Sequence, residues 1–473
     1  MVRYHSRRDV LRAGGAAAAG GILLPGLLGA EAGAQPALWT PAADPWDAVP
    51  AILARVSPPA FPARDFPITD YGAKGDGKAD CTKAFRAAVI ACNKAGGGRV
   101  VVEKGTFLTG AIHLLSNVNL HVLAGATIRF STDHKKYLPT VWTRWQGIEC
   151  YNYSPFIYAY NQTNVAISGA GTLDGQSSKG PWFDWDKKRD PDWQVLQKMA
   201  VDDVPVPERK FGEGHFLKPN MIQFYKCTNI LVEGVAIRNP AMWTVHPVLS
   251  RNITIRNISI YSRGGMVDGC DPEASADVHI HHCTFDTGDD AVVVKAGRDI
   301  DGRRVGVPSE NIVVERCTML GRWGAVTVGS EMSGGVRNVF FQDCVVKPGP
   351  SYRTFYVLYL KTNKRRGGVV DGIHARRITG NRIDRGSIYV DMNYSLTGPG
   401  HGPIVYPVVQ NITVDGMNID GAPYAVNLNG AAESRIRNVR ISNSTFKNMA
   451  GPNRISNADN VTFHNVTING KPV

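Results

Sequence analysis

Residues 229–283 read NILVEGVAIRNPAMWTVHPVLSRNITIRNISIYSRGGMVDGCDPEASADVHIHHC, and one phrase occurs in them three times. An Asn or Asp opens it, and β-branched or apolar residues then alternate with others, from Asn229, Asn252 and Asp277. The phrase extends both ways: NVNLHVL from Asn117 and NVAISGA from Asn164 precede it, and NIVVERC from Asn311 and NVFFQDC from Asn338 follow. NITVDGM from Asn411, NVRISNS from Asn438 and NVTFHNV from Asn460 complete the series. Neighbouring copies are commonly 22 to 27 residues apart, with longer gaps where loops can be inserted. Alternation marks a strand with one buried face, and a period near two dozen marks a solenoid. One such strand cannot bury its apolar face alone. Stacked coils can, and their asparagines can hydrogen-bond from coil to coil at a turn. A propeller blade needs forty-odd residues, and leucine-rich repeats need leucine at fixed places. The expectation is an all-β chain, a single-stranded right-handed parallel β-helix.

The rest of the composition agrees. Of 473 residues, 43% are hydrophobic and 20% charged, which excludes a wholly disordered chain. No apolar run is long enough to cross a bilayer. Segment 65–107 predicts a short N-terminal capping helix from Thr82, as its cap, to about Lys94, with Phe85, Ala88 and Val89 on one side. Residues 1–34 form a separate segment whose Ser6-Arg7-Arg8-Asp9-Val10-Leu11 resembles a twin-arginine export signal, with cleavage after Ala32 or Ala34. A basic tail or a retained anchor is the other reading of that segment. Export implies a periplasmic or secreted protein with no stable membrane insertion after cleavage. Residues 35–62 are then a lead-in, and 63–473 one β-helix domain.

The formal net charge is +12, and without residues 1–34 there remain 49 basic against 39 acidic residues. That excess points to a polyanionic partner. No zinc-finger spacing or basic helix supports nucleic acid; an acidic polysaccharide fits as well and agrees with export. The eight cysteines form no C-x-x-C, so buried thiols or a few disulfides are expected and metal ligation is not.

Chemistry concentrates in 264–299, GGMVDGCDPEASADVHIHHCTFDTGDDAVVVKAGRD. Asp268 and Asp289 are 21 residues apart, near one turn of the solenoid, and Asp290 follows directly. Gly288 marks a turn on which both acids can face outward. Carboxylates crowded on one patch cannot all ionise freely, so at least one should keep its proton. An acid to protonate a leaving oxygen beside carboxylates that activate water is the equipment for splitting an acetal. A Ca²⁺ site and plain Asp-Gly turn chemistry remain open on pattern alone.

From Phe66 to Val466 the chain resembles the polygalacturonase family, glycoside hydrolase family 28, with its pectin-lyase-like solenoid. The resemblance is carried by ITDYGAKGDGKADCTKAF, by VDGCDP with DTGDDAVVVKAGRD, and by GSEMSGGVRNV from Gly329. It implies an inverting hydrolase of α-linked galacturonic-acid-containing pectic chains that needs no cofactor and no metal. Asp289 would be the general acid, while Asp268 and Asp290 would activate water across a gap of roughly 6.5–9.5 Å.

Three departures stand out. Met266 replaces the family's Asn. Arg322-Trp323-Gly324 stands where Gly-His-Gly is usual, and Tyr359-Leu360-Lys361 where Arg-x-Lys grips a uronate carboxylate. Lys361 is kept, but a tyrosine does not replace an arginine fork. Trp323 offers a stacking face instead. Arg322, Lys218, His246, Tyr394 and Asp271 complete the candidate sugar contacts, His246 having a structural reading nearly as good. A rhamnogalacturonan or other substituted pectic chain is therefore the alternative substrate, with a uronate lyase or a non-catalytic binding protein further away. The aromatic stretch 135–160 and the insertion at 176–219 are expected to wall the cleft, which tilts the mode toward trimming chain ends. A monomer suffices for such a solenoid.

Overall fold

The computed structural model describes residues 44–394 and 402–473; the expected export signal lies outside the described residues. The repeat forms the β-helix the phrases demand. Thr228–Glu233 pairs in parallel with Arg251–Arg256, and that strand with Ala276–His281. The ladder continues through Ser309–Glu315, Val336–Gln342, Val369–Arg376, Val408–Asp415 and Ile436–Met449 to Ala458–Ile468. One register row through it is Ile230, Ile253, Val278, Ile312, Val339, Ile373, Ile412 and Val439, every member buried. Each coil thus hides its apolar side chains on the next, and burial of that aliphatic surface is the main stabilising term.

The residue that opens each phrase sets the turn. All ten stand in the left-handed region, with φ between 53° and 64°, a conformation Asn and Asp tolerate better than other side chains. Their side chains link coils: Asn229 Nδ2 donates to Asn164 Oδ1 at 2.8 Å, Asn252 to Asn229 at 2.6 Å, and Asn338 to Asn311 at 3.1 Å. Val369–Arg376 is a coil with no Asn phrase in the sequence. There Gly372 takes the turn at φ 74°, so the conformation persists without the amide.

Helix Thr82–Lys94 buries Phe85, Ala88, Val89 and Cys92 against the first coils. Thr82 is its first residue rather than its cap. Asp80 Oδ1 accepts from the Thr82 N–H at 2.9 Å, and the Thr82 hydroxyl accepts from the Gly110 N–H at 2.8 Å. In the lead-in, Ala48–Arg55 is helical, and Trp46, Val49 and Ile52 pack on Val313 and Phe340. All eight cysteines are buried free thiols, as the simpler expectation had it.

The face that bears the acidic stretch carries two strips of parallel strands. Ile112–His113, Ile157–Tyr160, Ile222–Tyr225 and Val245–Val248 form one. Val292–Val294, Gly324–Gly329, Tyr356–Lys361 and Gly386–Asp391 begin the other. Between them the coil around 268–273 forms bridges at Cys270 and Glu273 rather than a regular strand. Its backbone is nevertheless bonded to both neighbours, as in Val245 N–H to the Gly269 carbonyl at 3.1 Å and Gly269 N–H to the Asp290 carbonyl at 2.9 Å. The acids sit on this joining coil and the next.

Candidate active site

Asp268 and Asp290 are buried and Asp289 half-buried, and one oxygen from each lies within 4.8 Å of the others. The expected gap of roughly 6.5–9.5 Å is therefore not present between their nearest oxygens. The reason is geometric: acids on adjoining coils inherit the strand spacing of roughly 4.8 Å. Oxygens this close can also gather on a cation, the reading the pattern left open.

Each acid has its own partners. Asp290 Oδ1 accepts from the Gly324 N–H at 2.7 Å and the Thr327 hydroxyl at 2.9 Å, while Oδ2 is 2.6 Å from Lys361 Nζ. A side chain at 324 would collide with Thr327 and with the Asp290 carboxylate, so glycine is required for that bond. Asp289 accepts from the Met266 N–H at 2.9 Å and from the Asp290 N–H at 3.0 Å. Met266, at φ 61°, thus serves Asp289 through its backbone. Lys295 Nζ stands 3.7 Å from Asp268, 3.9 Å from Asp271 and 3.1 Å from Glu331.

Burial shapes the protonation. It raises the carboxyl of Asp289, with the Asp290 charge adding to the rise, against Lys361 and two N–H donors. It raises Asp268 well above the usual carboxylate range, helped by Asp289 and opposed by Lys295. Glu331 goes the other way: burial opposes its charge, yet Lys295 and Arg298 hold it well below its ordinary value. Lys361 is likewise kept charged, burial being outweighed by Asp290. The site is a set of alternating charges, in which burial and like charge raise Asp268 and Asp289 while Lys361 and Glu331 stay ionised.

A cleft of about 150 Å³ opens over these groups, lined among others by Asp268, Asp289, Lys361, Trp323 and Tyr394. Lys361 Nζ lies 5.2 Å from the Tyr359 ring centre and 5.7 Å from that of Tyr394. Tyr359 is buried and stacks on Tyr389 at 5.5 Å, so it braces Lys361 from below.

Four expected contacts lie elsewhere. His246 is fully buried beneath the cleft, its Nε2 2.7 Å from Glu273, whose other oxygen meets Arg144 at 3.0 Å. That arrangement fits its structural reading, since burial keeps the ring neutral. Asp271 is buried in the same layer, and neither of its oxygens has a hydrogen-bond partner. Lys218 is spent on Asp186 at 2.9 Å. Arg322 is exposed and is not among the residues lining the cleft; it lies over Tyr352 and Phe355 at 5.6 and 5.5 Å.

Other cleft residues had not been singled out: Gln146, Arg189, Trp243, Lys295, Arg298 and Glu331. Lys295 and Arg298 stand in the KAGRD end of the acidic stretch and Glu331 in GSEM, so their position was legible although their role was not. Arg298 Nε donates to the Gln146 carbonyl at 2.9 Å, its Nη2 pairs with Glu331, and its guanidinium lies 4.7 Å from the Trp193 ring. Gln146 comes from 135–160 and Arg189 from the insertion at 176–219, so both segments wall the cleft. No local pattern could have brought them there.

A parallel β-helix with adjoining acids flanked by ammonium and guanidinium groups is an arrangement suited to a glycoside hydrolase. The sequence profile of glycosyl hydrolases family 28 matches residues 92–422, and the chain belongs to that family. A probable polygalacturonase of Vitis vinifera is 30% identical over 392 residues, covering 80% of this chain and 73% of that one. An exo-poly-alpha-D-galacturonosidase of Dickeya chrysanthemi is 25% identical, covering 85% and 70%. Among solved structures, a hyperthermoactive exopolygalacturonase of Thermotoga maritima superposes with a TM-score of 0.86 and 40% identity, over 90% of this chain and 96% of that one. The protein is a glycoside hydrolase.

Proposed function

We propose that the enzyme hydrolyses α-linked galacturonic-acid chains from their ends. The observation that carries this reading is the Asp268–Asp289–Asp290 cluster set beside Lys361, Lys295 and Arg298: acid–base equipment ringed by groups that attract a uronate carboxylate. Asp289, whose carboxyl is raised, delivers its proton to the glycosidic oxygen. Asp290, anchored by Lys361, Gly324 and Thr327, flanks the attacking water with Asp268. Once ionised, a carboxylate with a raised pKa is the stronger proton acceptor, which suits Asp268 to that task. Inversion is proposed from the family resemblance, and proton NMR of the first-formed anomer tests it.

The walls contributed by Gln146 and Arg189, together with the similarity to enzymes named as exo-acting, support release of terminal sugars. Residues 1–34 support export to the periplasm or beyond.

Mass-resolved products from homogalacturonan and rhamnogalacturonan, incubated in parallel, test the substrate. Saturated monomeric galacturonic acid from the first is expected. Silence there with hydrolysis of the second would transfer the reading to the substituted chain, and unsaturated products would mean a lyase. Asp289→Asn should lower kcat by roughly a thousandfold while leaving the unfolding midpoint in place. A variant that retains most of its turnover would remove Asp289 from the mechanism.

A further inference from the structure

Arg322 lies outside the cleft lining, and what it joins is continuous with the cleft. Trp323 lines the cleft and meets the Phe355 ring edge-on at 5.0 Å. Two guanidinium groups rest against Phe355, that of Arg385 at 3.9 Å and that of Arg322 at 5.5 Å. Arg322 also lies 5.6 Å from the Tyr352 ring, and Arg263 lies 5.0 Å from the same ring. Arg263 in turn covers Tyr261 at 3.9 Å, a tyrosine that is 41% exposed. The contacts run without a gap from Trp323 to Tyr261.

The charges along this path are unequal. Arg263 is paired with Asp286 at 2.9 Å. Arg322 and Arg385 are exposed and form no ion pair among the described residues. A guanidinium resting on an aromatic ring keeps its fork oriented, and that fork matches a carboxylate. Two unneutralised guanidiniums, oriented by the buried Phe355 and flanked by the half-buried Trp323 and Tyr352, suit a chain of pyranoses that each carry one negative charge. A neutral glycan would leave the two guanidiniums unanswered.

We propose that Trp323, Arg322, Arg385 and Tyr352, held together by the buried Phe355, form an outer binding track for anionic polysaccharide, receiving the part of a polyuronate that lies beyond the bond being cut. This rests on the proposed galacturonan activity and adds to it a polymer-holding region. It also gives Arg322 a role at the polymer rather than at the reacting sugar.

The test is the double variant Arg322→Gln/Arg385→Gln, with Arg322→Gln alone as a control against loss of Phe355 packing. The ratio of kcat/KM on long polygalacturonate to that on digalacturonate should fall roughly tenfold in the double variant, as expected for two exposed cation contacts. Raising the salt should erode the wild-type preference more than the variant's. A preserved ratio, or an equal loss on both substrates, would overturn the track. Electrophoresis through gels containing polygalacturonate reads the same region without turnover. The wild type should be retarded more than the double variant, and equal retardation, or equal competition by a neutral glycan, would also overturn it. Wild-type silence on both substrates would count against the activity itself, while the gel result still decides the track.

Discussion

Along the asparagine edge of the solenoid, successive coils repeat one backbone conformation and one kind of hydrogen bond, from Asn117 to Asn460. On the face bearing 268–295, neighbouring coils present different charged groups: Asp268, then Asp289 and Lys295, then Glu331, then Lys361. The asparagine edge satisfies its polar groups by copying itself. The cleft face satisfies its own by ion pairs between residues as distant as Asp290 and Lys361. Repetition therefore stabilises, whereas the cleft gathers buried like charges that weigh against the fold and survive through their counter-charges.

The largest effect should come from removing one such counter-charge. Lys361→Met leaves Asp290 buried at 0% exposure without its ammonium partner. Breaking a buried pair from one side typically costs about 3–5 kcal/mol, so both the unfolding free energy and kcat/KM should drop, the latter by roughly a hundredfold or more. Denaturant unfolding and initial rates on the same preparation check this. A variant of unchanged stability would mean that Asp290 is satisfied by Gly324 and Thr327 alone.

Asp268→Asn sharpens the contrast from the opposite direction. The folded-state carboxyl of Asp268 is raised well above its ordinary value, by burial first and by Asp289 second. A raised carboxyl costs nothing below its ordinary value, and its penalty builds as pH rises from there to the raised folded value, remaining in full above it. The Asn variant lacks that group, so it should be more stable than the wild type at neutral pH. The gap should close as pH falls below the ordinary carboxylate range, while activity is lost throughout. Thermal unfolding across pH checks this. A gap that widens toward acid would reverse the sign and the account.

The two regions also differ in how far the sequence discloses them. The asparagine edge was legible because its cause is local: an Asn, a left-handed turn and an apolar alternation recur in nearly every coil. It failed at Val369–Arg376, where Gly372 meets the backbone need without the amide that made the other copies visible. The acids were legible through their spacing, but their surroundings were not. Arg189 and Gln146 reach the cleft from insertions outside the repeat, and nothing in the local pattern says where an insertion folds back. Lys218, Asp271 and His246 have suitable chemistry in nearby coils, yet one is taken up by Asp186 and two lie in the layer beneath. Spacing along a solenoid tells which coil a residue occupies, but not whether its side chain reaches the cleft.

The smallest effects belong to the asparagine edge, and they separate its two ingredients. Asn311 stands at φ 57°, donates to Asp277 at 3.2 Å and accepts from Asn338 at 3.1 Å. Asn311→Gly removes both bonds and keeps the left-handed turn easy, so the loss should be about 1 kcal/mol, the net worth of partly solvated hydrogen bonds. Asn311→Ala removes the same bonds and adds the left-handed penalty of about 1 kcal/mol for a Cβ, so it should lose about 2 kcal/mol. Urea midpoints at constant slope measure the difference. If Ala and Gly are equally destabilising, the amide ladder alone holds the edge and the left-handed turn is incidental. If Gly matches the wild type, the turn conformation is what the repeated asparagines supply, and Gly372 is the ordinary solution rather than the exception.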